Sequence, residues 1–279
     1  MMRLGVSNLA WTPEQAGDAY ALLQRLGVRG LEIAPSLLFA DLETPLHADA
    51  GHCQAARDEA GTHGLQLCSM QSALFGLSDA RLFESPGERA NFVRGMEEAI
   101  GLAGRLGIPT VVLGSPKNRI MPGTMSPEEA EQIWREAFTC LAAAAETAGT
   151  RIALEPNPDA YGTNFCTRLD ETLSVAERVG HPAFGVNLDL GALLLNDELS
   201  GLRGVLDGRI TRVFHAHVST PYLKPVSPEA ESIGSFVETL SMLGYEGWLS
   251  IEMVNVFSDV AAAIAECQNA LARSEAGAG

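Results

Sequence analysis

Apolar and polar residues follow one repeated pattern along the chain. A stretch with apolar residues at helical spacing ends at a glycine, and a short run rich in β-branched and apolar residues follows at once. Glycine is common just past a helix because it adopts the left-handed conformation at little cost. The pattern predicts helix-to-strand junctions at Gly27, Gly64, Gly107, Gly149, Gly180, Gly208 and Gly244, followed by the strands VRGLEIA, LQLCSMQ, IPTVVLG, TRIALEP, PAFGVNLD, RITRVFHAHVS and EGWLSIEM.

Three Ser-Pro pairs indicate where helices begin. Ser85, Ser126 and Ser227 each precede a proline and then an amphipathic stretch. A serine side chain accepts a hydrogen bond at the N-cap, and proline is favoured in the first turn. We expect a helix to begin directly after each of these serines.

The opening segment LGVSN adds one strand, so the chain contains eight βα units, with junction glycines 28 to 43 residues apart. Parallel strands need a crossover of about a dozen residues or more, which this spacing provides. Eight units in 279 residues predict an α/β protein with a single (β/α)8 TIM barrel, a fold of about 250 residues. No G-x-G-x-x-G or G-K-[ST] signature follows a strand, which disfavours an open nucleotide-binding sheet. We predict one domain over residues 1–279, with a frayed tail from about residue 273.

Polar residues end four consecutive predicted strands. In a barrel, alternate strand residues point inward, and the active site collects at the carboxyl ends of the strands. A lone carboxylate at a strand end is usually solvated. In strands five to eight, however, an inward polar residue follows the alternating apolar residues in the same way, and this favours a common site. With the apolar residues facing the helices, the inward polar positions are Glu32, Glu155, Asp189, His215, His217 and Glu252.

Four of these residues, Glu155, Asp189, His217 and Glu252, predict a metal site at the mouth. Carboxylates packed together without a cation repel one another, and at least one would take up a proton. An oxygen-rich set with one imidazole suits Mn²⁺, Mg²⁺ or Co²⁺ better than a structural Zn²⁺. We predict one bound divalent metal ion, with Mn²⁺ as the first choice.

Composition narrows the classes of function. Hydrophobic residues make up 46% of the chain and charged residues 19%, which provides a large core and excludes general disorder. The net charge of −16 argues against a nucleic-acid partner, because affinity for phosphates comes from Lys and Arg. No apolar run reaches the roughly 18 residues of a membrane span, and the N-terminus has no apolar signal region. Five cysteines without a C-x-x-C pair fit a reducing compartment, so we expect a cytoplasmic protein.

The strand ends also carry seven motifs, which are LGVSNLAW, GLEIAPSLL, MQSALFG, IALEPNP followed by YGTNF, GVNLDLGAL, HAHVSTPYL and LSIEM. The chain resembles the xylose isomerase-like TIM-barrel superfamily of sugar phosphate isomerases and epimerases, and within it D-tagatose 3-epimerase. The resemblance implies that Glu155, Asp189, His217 and Glu252 hold the ion, and that Glu155 and Glu252 act as acid and base on opposite faces of the substrate.

Three positions depart from the ketohexose epimerases. Where those enzymes carry a His, a Glu and an Arg near the ligands, this chain has Ala192, Tyr161 and Leu223, the last beside Lys224. The groups that grip a free ketohexose therefore differ. The resemblance implies the chemistry of the superfamily rather than one substrate, and similar scaffolds carry hydroxypyruvate isomerase, inosose dehydratase and dehydroshikimate dehydratase.

A metal bound to a carbonyl oxygen and a neighbouring hydroxyl makes the C–H between them acidic. We predict a divalent-metal-dependent isomerase or epimerase of carbohydrate metabolism that moves a proton of a ketose or related hydroxy-carbonyl compound through an enediolate. The alternative is a metal-dependent dehydratase of a keto-polyol. Further alternatives are a hydrolase resembling the AP endonucleases, which would need several more histidines, and a non-catalytic sugar-binding barrel.

Other residues near the predicted mouth are candidates for binding the small-molecule substrate. Trp11 and Phe75 could pack on a sugar face, although loop packing explains them equally well. Lys117 and Arg119 follow strand four, where a solvated loop is favoured over anion binding. Family analogy also suggests a homodimer or homotetramer. The substrate-binding candidates are Asn8, Trp11, Glu32, Gln71, Phe75, Asn157, Tyr161, Asn164, His215 and Lys224.

Overall fold

Eight parallel strands close into a barrel in the computed structural model, which describes residues 1–277. Each strand pairs with its neighbours in sequence, and the last strand pairs with the first. The predicted (β/α)8 TIM barrel is thus confirmed. The strands are β1 (Arg3–Ser7), β2 (Gly30–Ile33), β3 (Gln66–Met70), β4 (Thr110–Leu113), β5 (Arg151–Leu154), β6 (Phe184–Asp189), β7 (Val213–Val218) and β8 (Trp248–Ile251).

At least one helix follows every strand, as the βα pattern requires. Two strands, β2 and β6, are each followed by two helices. The helices are α1 (Ala16–Arg25), α2 (Pro35–Leu38), α3 (Ala50–Thr62), α4 (Pro86–Leu106), α5 (Pro127–Ala148), α6 (Leu169–Val179), α7 (Leu190–Leu195), α8 (Leu202–Leu206), α9 (Ala230–Met242) and α10 (Val260–Gly277).

The seven predicted junction glycines all have a left-handed backbone, with φ between 66° and 76°. Gly107 and Gly149 directly follow α4 and α5, and their N–H groups bond back to carbonyls of the last helical turn. A residue with a side chain would be strained in this conformation. The repeat in the sequence therefore reflects a backbone requirement at each return to the barrel.

Two of the three predicted helix starts are confirmed. Ser85 and Ser126 each accept a hydrogen bond from the third residue of the helix, whose glutamate side chain bonds back to the serine N–H. Ser227 is different, because it lies inside a three-residue 3-10 turn. Helix α9 begins three residues later at Ala230, after Glu229, and has no side-chain cap.

Strand register sets the level of the side chains inside the barrel. Asp189 on β6 is paired with His217 on β7, and Asn187 is paired with His215 one layer below. The alternate residues Val186 and Leu188 belong to the buried hydrophobic core. Alternation thus directs the polar residues of neighbouring strands to the same levels of the barrel interior.

The last helix, α10, includes part of the segment for which the sequence predicts a frayed tail. Residues 273–277, expected to fray, form the end of α10, which packs against α9. The remaining residues of that expected tail lie outside the described range. Within residues 1–277, no helix combines the length and apolar character needed to cross a membrane. All five cysteines are unpaired.

Candidate active site

The barrel mouth brings the four predicted metal ligands together. Their positions are directly after β5 (Glu155), at the end of β6 (Asp189), within β7 (His217) and directly after β8 (Glu252). The His217 Nδ1 atom lies 3.2 Å from both Glu155 Oε1 and Glu252 Oε2. The same nitrogen lies 3.9 Å from Asp189 Oδ2. One ring nitrogen therefore faces three carboxylates from three other strand ends.

The four side chains are buried to different degrees. The imidazole of His217 is 1% exposed, whereas the Glu155 side chain keeps 13% of its surface exposed. Asp189 and Glu252 are each 9% exposed at their side chains. The carboxylates thus border the solvent-accessible mouth, and the histidine forms its floor.

Crowding of these charges shifts their pKa values. Burial, reinforced by the charges of Glu155 and Glu252, raises the pKa of Asp189 to about 7. Burial likewise raises the pKa of Glu252. Burial also opposes ionisation of Glu155, but a hydrogen bond and the charge of His217 bring its pKa below the usual value. For His217, the charges of Glu32 and Glu252 outweigh burial and raise the pKa well above its usual value.

The donor set fits a divalent cation. Ligand atoms of Glu155, Asp189 and His217 lie within 4.8 Å of one another. The Asn187 Oδ1 atom is buried at the same site and has no hydrogen-bond partner among the described residues. Carboxylate oxygens with one imidazole suit Mn²⁺, Mg²⁺ or Co²⁺. A cation at this point would compete with the protons whose binding burial favours at Asp189 and Glu252.

The raised pKa of Asp189 predicts a loss of stability with rising pH in the metal-free protein. Its folded-state pKa of about 7 lies above the usual 3.8. The folded state therefore binds more protons than the unfolded state between these values, and stability falls as the pH rises from about 4 to about 7. Asp189→Asn removes this titrating group. We expect the free energy of unfolding of the variant, minus that of the parent protein, to increase with pH in this range, by up to about 1.4 kcal/mol per pH unit. Urea unfolding of chelator-treated proteins at several pH values measures this difference, and a constant difference would contradict the assignment.

A second layer of polar residues lies beneath His217. The Glu32 carboxylate has no exposed surface and lies 2.9 Å from His217 Nε2 and 3.0 Å from His215 Nε2. The Ser69 hydroxyl and the Gln71 amide donate hydrogen bonds to the same carboxylate. Burial opposes ionisation of Glu32, but the two histidines bring its pKa well below the usual value. Glu32 is therefore a buried carboxylate that remains charged.

This layer orients the predicted ligand. With Nε2–H donated to Glu32, His217 presents Nδ1 to the mouth, and a carboxylate behind a histidine typically fixes its ring and tautomer. The sequence predicts Glu32 and His215 as substrate-binding candidates, and for His215 it favours a supporting or core role over that of a ligand. Both are fully buried below the mouth. They instead form the support of His217, because β2 and β7 place them one layer lower than the strand ends.

Short hydrogen bonds hold the carboxylates at the mouth. Asn157 and Asn187 donate to the two oxygens of Glu155, at 2.8 and 2.7 Å. Asp189 accepts hydrogen bonds from the Ser219 hydroxyl and from the Ala192 N–H. Through the second bond, Asp189 also caps the N-terminus of the short helix α7. These contacts fix the orientation of both carboxylates before any substrate binds.

Arg119 supports the same side of the site from inside the protein. The sequence favoured a solvated loop for this residue, but Arg119 is fully buried. Its guanidinium donates to the carbonyls of Gly114, Phe165 and Glu155 and to Asn157 Oδ1, at 2.6–2.8 Å. Because Asn157 in turn bonds Glu155, the arginine positions both the backbone and the side chain of that glutamate.

Removing this guanidinium should destabilise the fold. We expect Arg119→Met to lower the free energy of unfolding by about 2–5 kcal/mol, because four buried acceptors would lose their donor. Arg25→Met, at an exposed position of α1, is the matched control and should change stability by less than about 0.5 kcal/mol. Chemical unfolding measures both, and equal effects in the two variants would contradict this role.

The candidates on the β1 and β3 side of the mouth have separate places. Asn8 is buried and accepts a hydrogen bond from the Ala34 N–H, joining the ends of β1 and β2. Trp11 is buried against neighbouring aromatic rings, which agrees with loop packing. Gln71 bonds Glu32 and also lines a cavity beside the mouth. Phe75 is 75% exposed on that cavity.

The remaining candidates lie on the opposite side. The Tyr161 hydroxyl accepts a hydrogen bond from the backbone N–H of Tyr222, and the two rings meet edge to face. Asn164 is exposed, and its side-chain amide exchanges two hydrogen bonds with the backbone of Met121. The amide thus holds two loop segments together. Lys224 is exposed near this rim. Tyr161 is thus the candidate on this side with an aromatic face near the mouth.

Sequence reasoning missed several supporting residues. Ser219 and Ser69 each bond a site carboxylate, and both follow the inward phase of their strands, so the phase rule could have found them. Arg119 gave no such signal, since its acceptors come from distant loops. Tyr222 adopts a left-handed backbone that its sequence does not indicate.

The fold and the mouth define a (β/α)8 barrel with a carboxylate–histidine cluster at the carboxyl ends of strands five to eight. A profile of the xylose isomerase-like TIM-barrel family matches residues 20–272, and the chain belongs to that family. No curated protein is similar enough in sequence to count as a relative.

Solved structures of similar fold include three sugar epimerases. An L-ribulose 3-epimerase superposes with a TM-score of 0.80 at 15% identity, over 100% of this chain and 97% of the other. A 3-keto-D-glucoside 4-epimerase from E. coli gives 0.74 at 16% identity, over 99% and 100%. A D-psicose 3-epimerase from Clostridium cellulolyticum H10, solved with D-tagatose, gives 0.72 at 18% identity, over 98% of each chain. At these identities the likeness is one of fold.

Proposed function

We propose that this protein is a divalent-metal-dependent isomerase or epimerase that acts on a ketose or a related hydroxy-carbonyl compound. The structural neighbours that act on such sugars share its fold over nearly the full chain. The observation that carries the proposal is the placement of Glu155 and Glu252, each 3.2 Å from His217 Nδ1. The two carboxylates come from strands on different sides of the mouth, β5 and β8.

Glu155, Asp189, His217 and Glu252 would hold the cation, through three carboxylates and the Nδ1 atom of the histidine. When bound, a divalent ion polarises a carbonyl and thereby makes the neighbouring C–H acidic. The ion needs deprotonated ligands, so it is expected to bind more tightly as the pH rises through the Asp189 pKa of about 7.

The two glutamates perform the proton transfer in this proposal. One carboxylate removes the proton from the carbon beside the carbonyl, and the other returns a proton from the opposite face. Return to the same carbon gives the epimer, and return to the adjacent carbon gives the isomer. Asn157 and Asn187 leave Glu155 little freedom to rotate, which keeps its carboxylate at one face of the substrate.

Solvent deuterium exchange tests the proposal. The protein, loaded with Mn²⁺, Mg²⁺ or Co²⁺, is incubated in D₂O with a panel of ketoses and keto-polyols, and the products are followed by NMR. We expect deuterium at the carbon beside the carbonyl, together with a new epimer or isomer. A product that has lost water would instead make the protein a dehydratase, and no exchange with any compound would favour a binding protein. The predicted homodimer or homotetramer is tested separately by sedimentation.

A further inference from the structure

A cavity of about 560 Å³ extends from Glu155 between the loops that follow β3 and β4. Cavities of this size accommodate whole small-molecule ligands. The reacting carbons of a ketose need only the part next to Glu155. The rest of the cavity is therefore available to a substituent of the substrate remote from the reacting carbon.

The charge of this cavity is opposite to that of the chain. The protein carries 35 acidic residues against 19 Lys and Arg, but Glu155 is the only carboxylate on the cavity wall. Arg81 and Lys117 both line it. Among residues 1–277, neither cation lies within ion-pair distance of a carboxylate, and the Lys117 ammonium has no hydrogen-bond partner. Lys117 thus faces this space without a counterion, next to the proposed catalytic carboxylate. Arg81 lies beside it, with its charge partly shared with Glu88.

The walls of the cavity are held in a fixed shape. Asn118 lies on the loop after β4, and its side chain donates hydrogen bonds to the carbonyls of Leu77 and Ala80 on the loop after β3, at 3.0 and 2.6 Å. These bonds join the two loops. Ser72 and Ser115 line the cavity with φ of 55° and 45°, a left-handed backbone that is unfavourable for serine. Such strain concentrates at ligand-binding sites, where the surrounding structure maintains it.

An aromatic ring lies on the rim of the same space. Phe75 is 75% exposed there, while Leu74 and Leu77 form apolar wall. An exposed ring next to the cations Lys117 and Arg81 fits a ligand with a carbon skeleton and a charged end. The cavity differs in this respect from the Glu155–Glu252 region, where carboxylates dominate.

From these features we propose that the substrate carries an anionic group, a phosphate ester or a carboxylate, remote from the carbon that exchanges its proton, and that Lys117 and Arg81 bind this group. The inference rests on the proposed function, because it assigns the substrate class for that site. A charge-assisted hydrogen bond from each cation would stabilise the complex, in a cavity shaped before binding.

Matched substrate pairs test the inference. The metal-loaded protein is assayed by deuterium exchange with a ketose and its terminal phosphate, and with a ketose and the corresponding keto-sugar acid. We expect kcat/KM for the preferred anionic compound to exceed that of its neutral partner by about 10–100-fold. Preference for the phosphate identifies an ester, and preference for the acid identifies a carboxylate. Equal values, or preference for a neutral glycoside, would overturn the inference.

Variants locate the effect in the cavity. In Lys117→Met and Arg81→Met, the ratio of kcat/KM between the anionic and neutral compounds should fall toward one, mainly through KM of the anionic compound. Arg94→Met, an exposed cation of α4 outside the cavity, should keep the ratio of the parent protein. An unchanged ratio in Lys117→Met would place the anion elsewhere and overturn the inference.

A binding measurement separates this inference from the proposed function. Calorimetry with a sugar-alcohol phosphate needs no turnover, since this compound has no carbonyl. Binding to the parent protein and loss in Lys117→Met would support the anion site even if no ketose exchanges deuterium. The opposite outcome is deuterium exchange with neutral ketoses, but no binding of the sugar-alcohol phosphate and no preference for a sugar acid. That result would leave the proposed function intact and refute the anion site.

Discussion

Glu252→Gln and Glu155→Gln should each lower kcat for proton exchange by about 10²–10⁴-fold, the range for a positioned acid or base. Glutamine keeps the shape and one carbonyl oxygen of the side chain, but it cannot accept or return a proton.

Deuterium exchange at saturating substrate measures this loss, and metal content is determined on the same samples. Glu238→Gln is the matched control, because Glu238 is an exposed residue of helix α9 and belongs to no strand end of the barrel. It should retain the rate of the parent protein. Full activity in either site variant, with metal bound, would refute the proposed acid–base pair.

His217→Ala should abolish tight metal binding. The ring supplies the one nitrogen among the four proposed ligands, and its loss leaves three crowded carboxylates, of which two already have raised pKa values. We expect about one ion per chain in the parent protein and none in the variant after gel filtration. Elemental analysis after loading with Mn²⁺, Mg²⁺ or Co²⁺ measures the stoichiometry.

His47→Ala is the control for this measurement, since its side chain is 58% exposed and pairs with Glu98 on the barrel exterior. That variant should bind as much metal as the parent protein. Metal retained in His217→Ala at the parent stoichiometry would show that the ion lies elsewhere. No ion in the parent protein under any loading would remove the proposed chemistry.

The barrel could be predicted from local features of the sequence. Each junction glycine meets a backbone requirement within a few residues, so its meaning does not depend on distant parts of the chain. The inward direction of His217 and Asp189 also follows from alternation along single strands. The order of eight similar units then determines which strand ends become neighbours.

The rest of the site depends on contacts that no local pattern contains. Alternation along β2 predicts that Glu32 points into the barrel, but it does not predict how far below the mouth the side chain lies. The register between β2 and β3 also shifts between Leu31 and Glu32, and a regular alternating pattern does not contain such a shift. Arg119 follows a strand and lies in a polar segment, and this sequence context is typical of an exposed cation. Its burial arises because carbonyls from loops up to 46 residues away converge on it.

The two-sided role of the His217 ring restricts how this site can evolve. A cysteine or an aspartate at that position could still donate a ligand atom to a metal, but neither would offer a hydrogen bond to Glu32 below. The buried carboxylate would then lose a partner it needs to remain charged. Glu32 would keep the hydrogen bonds from Ser69 and Gln71, so replacement of His217 by either residue favours, as a compensating change, the loss of the charge at position 32.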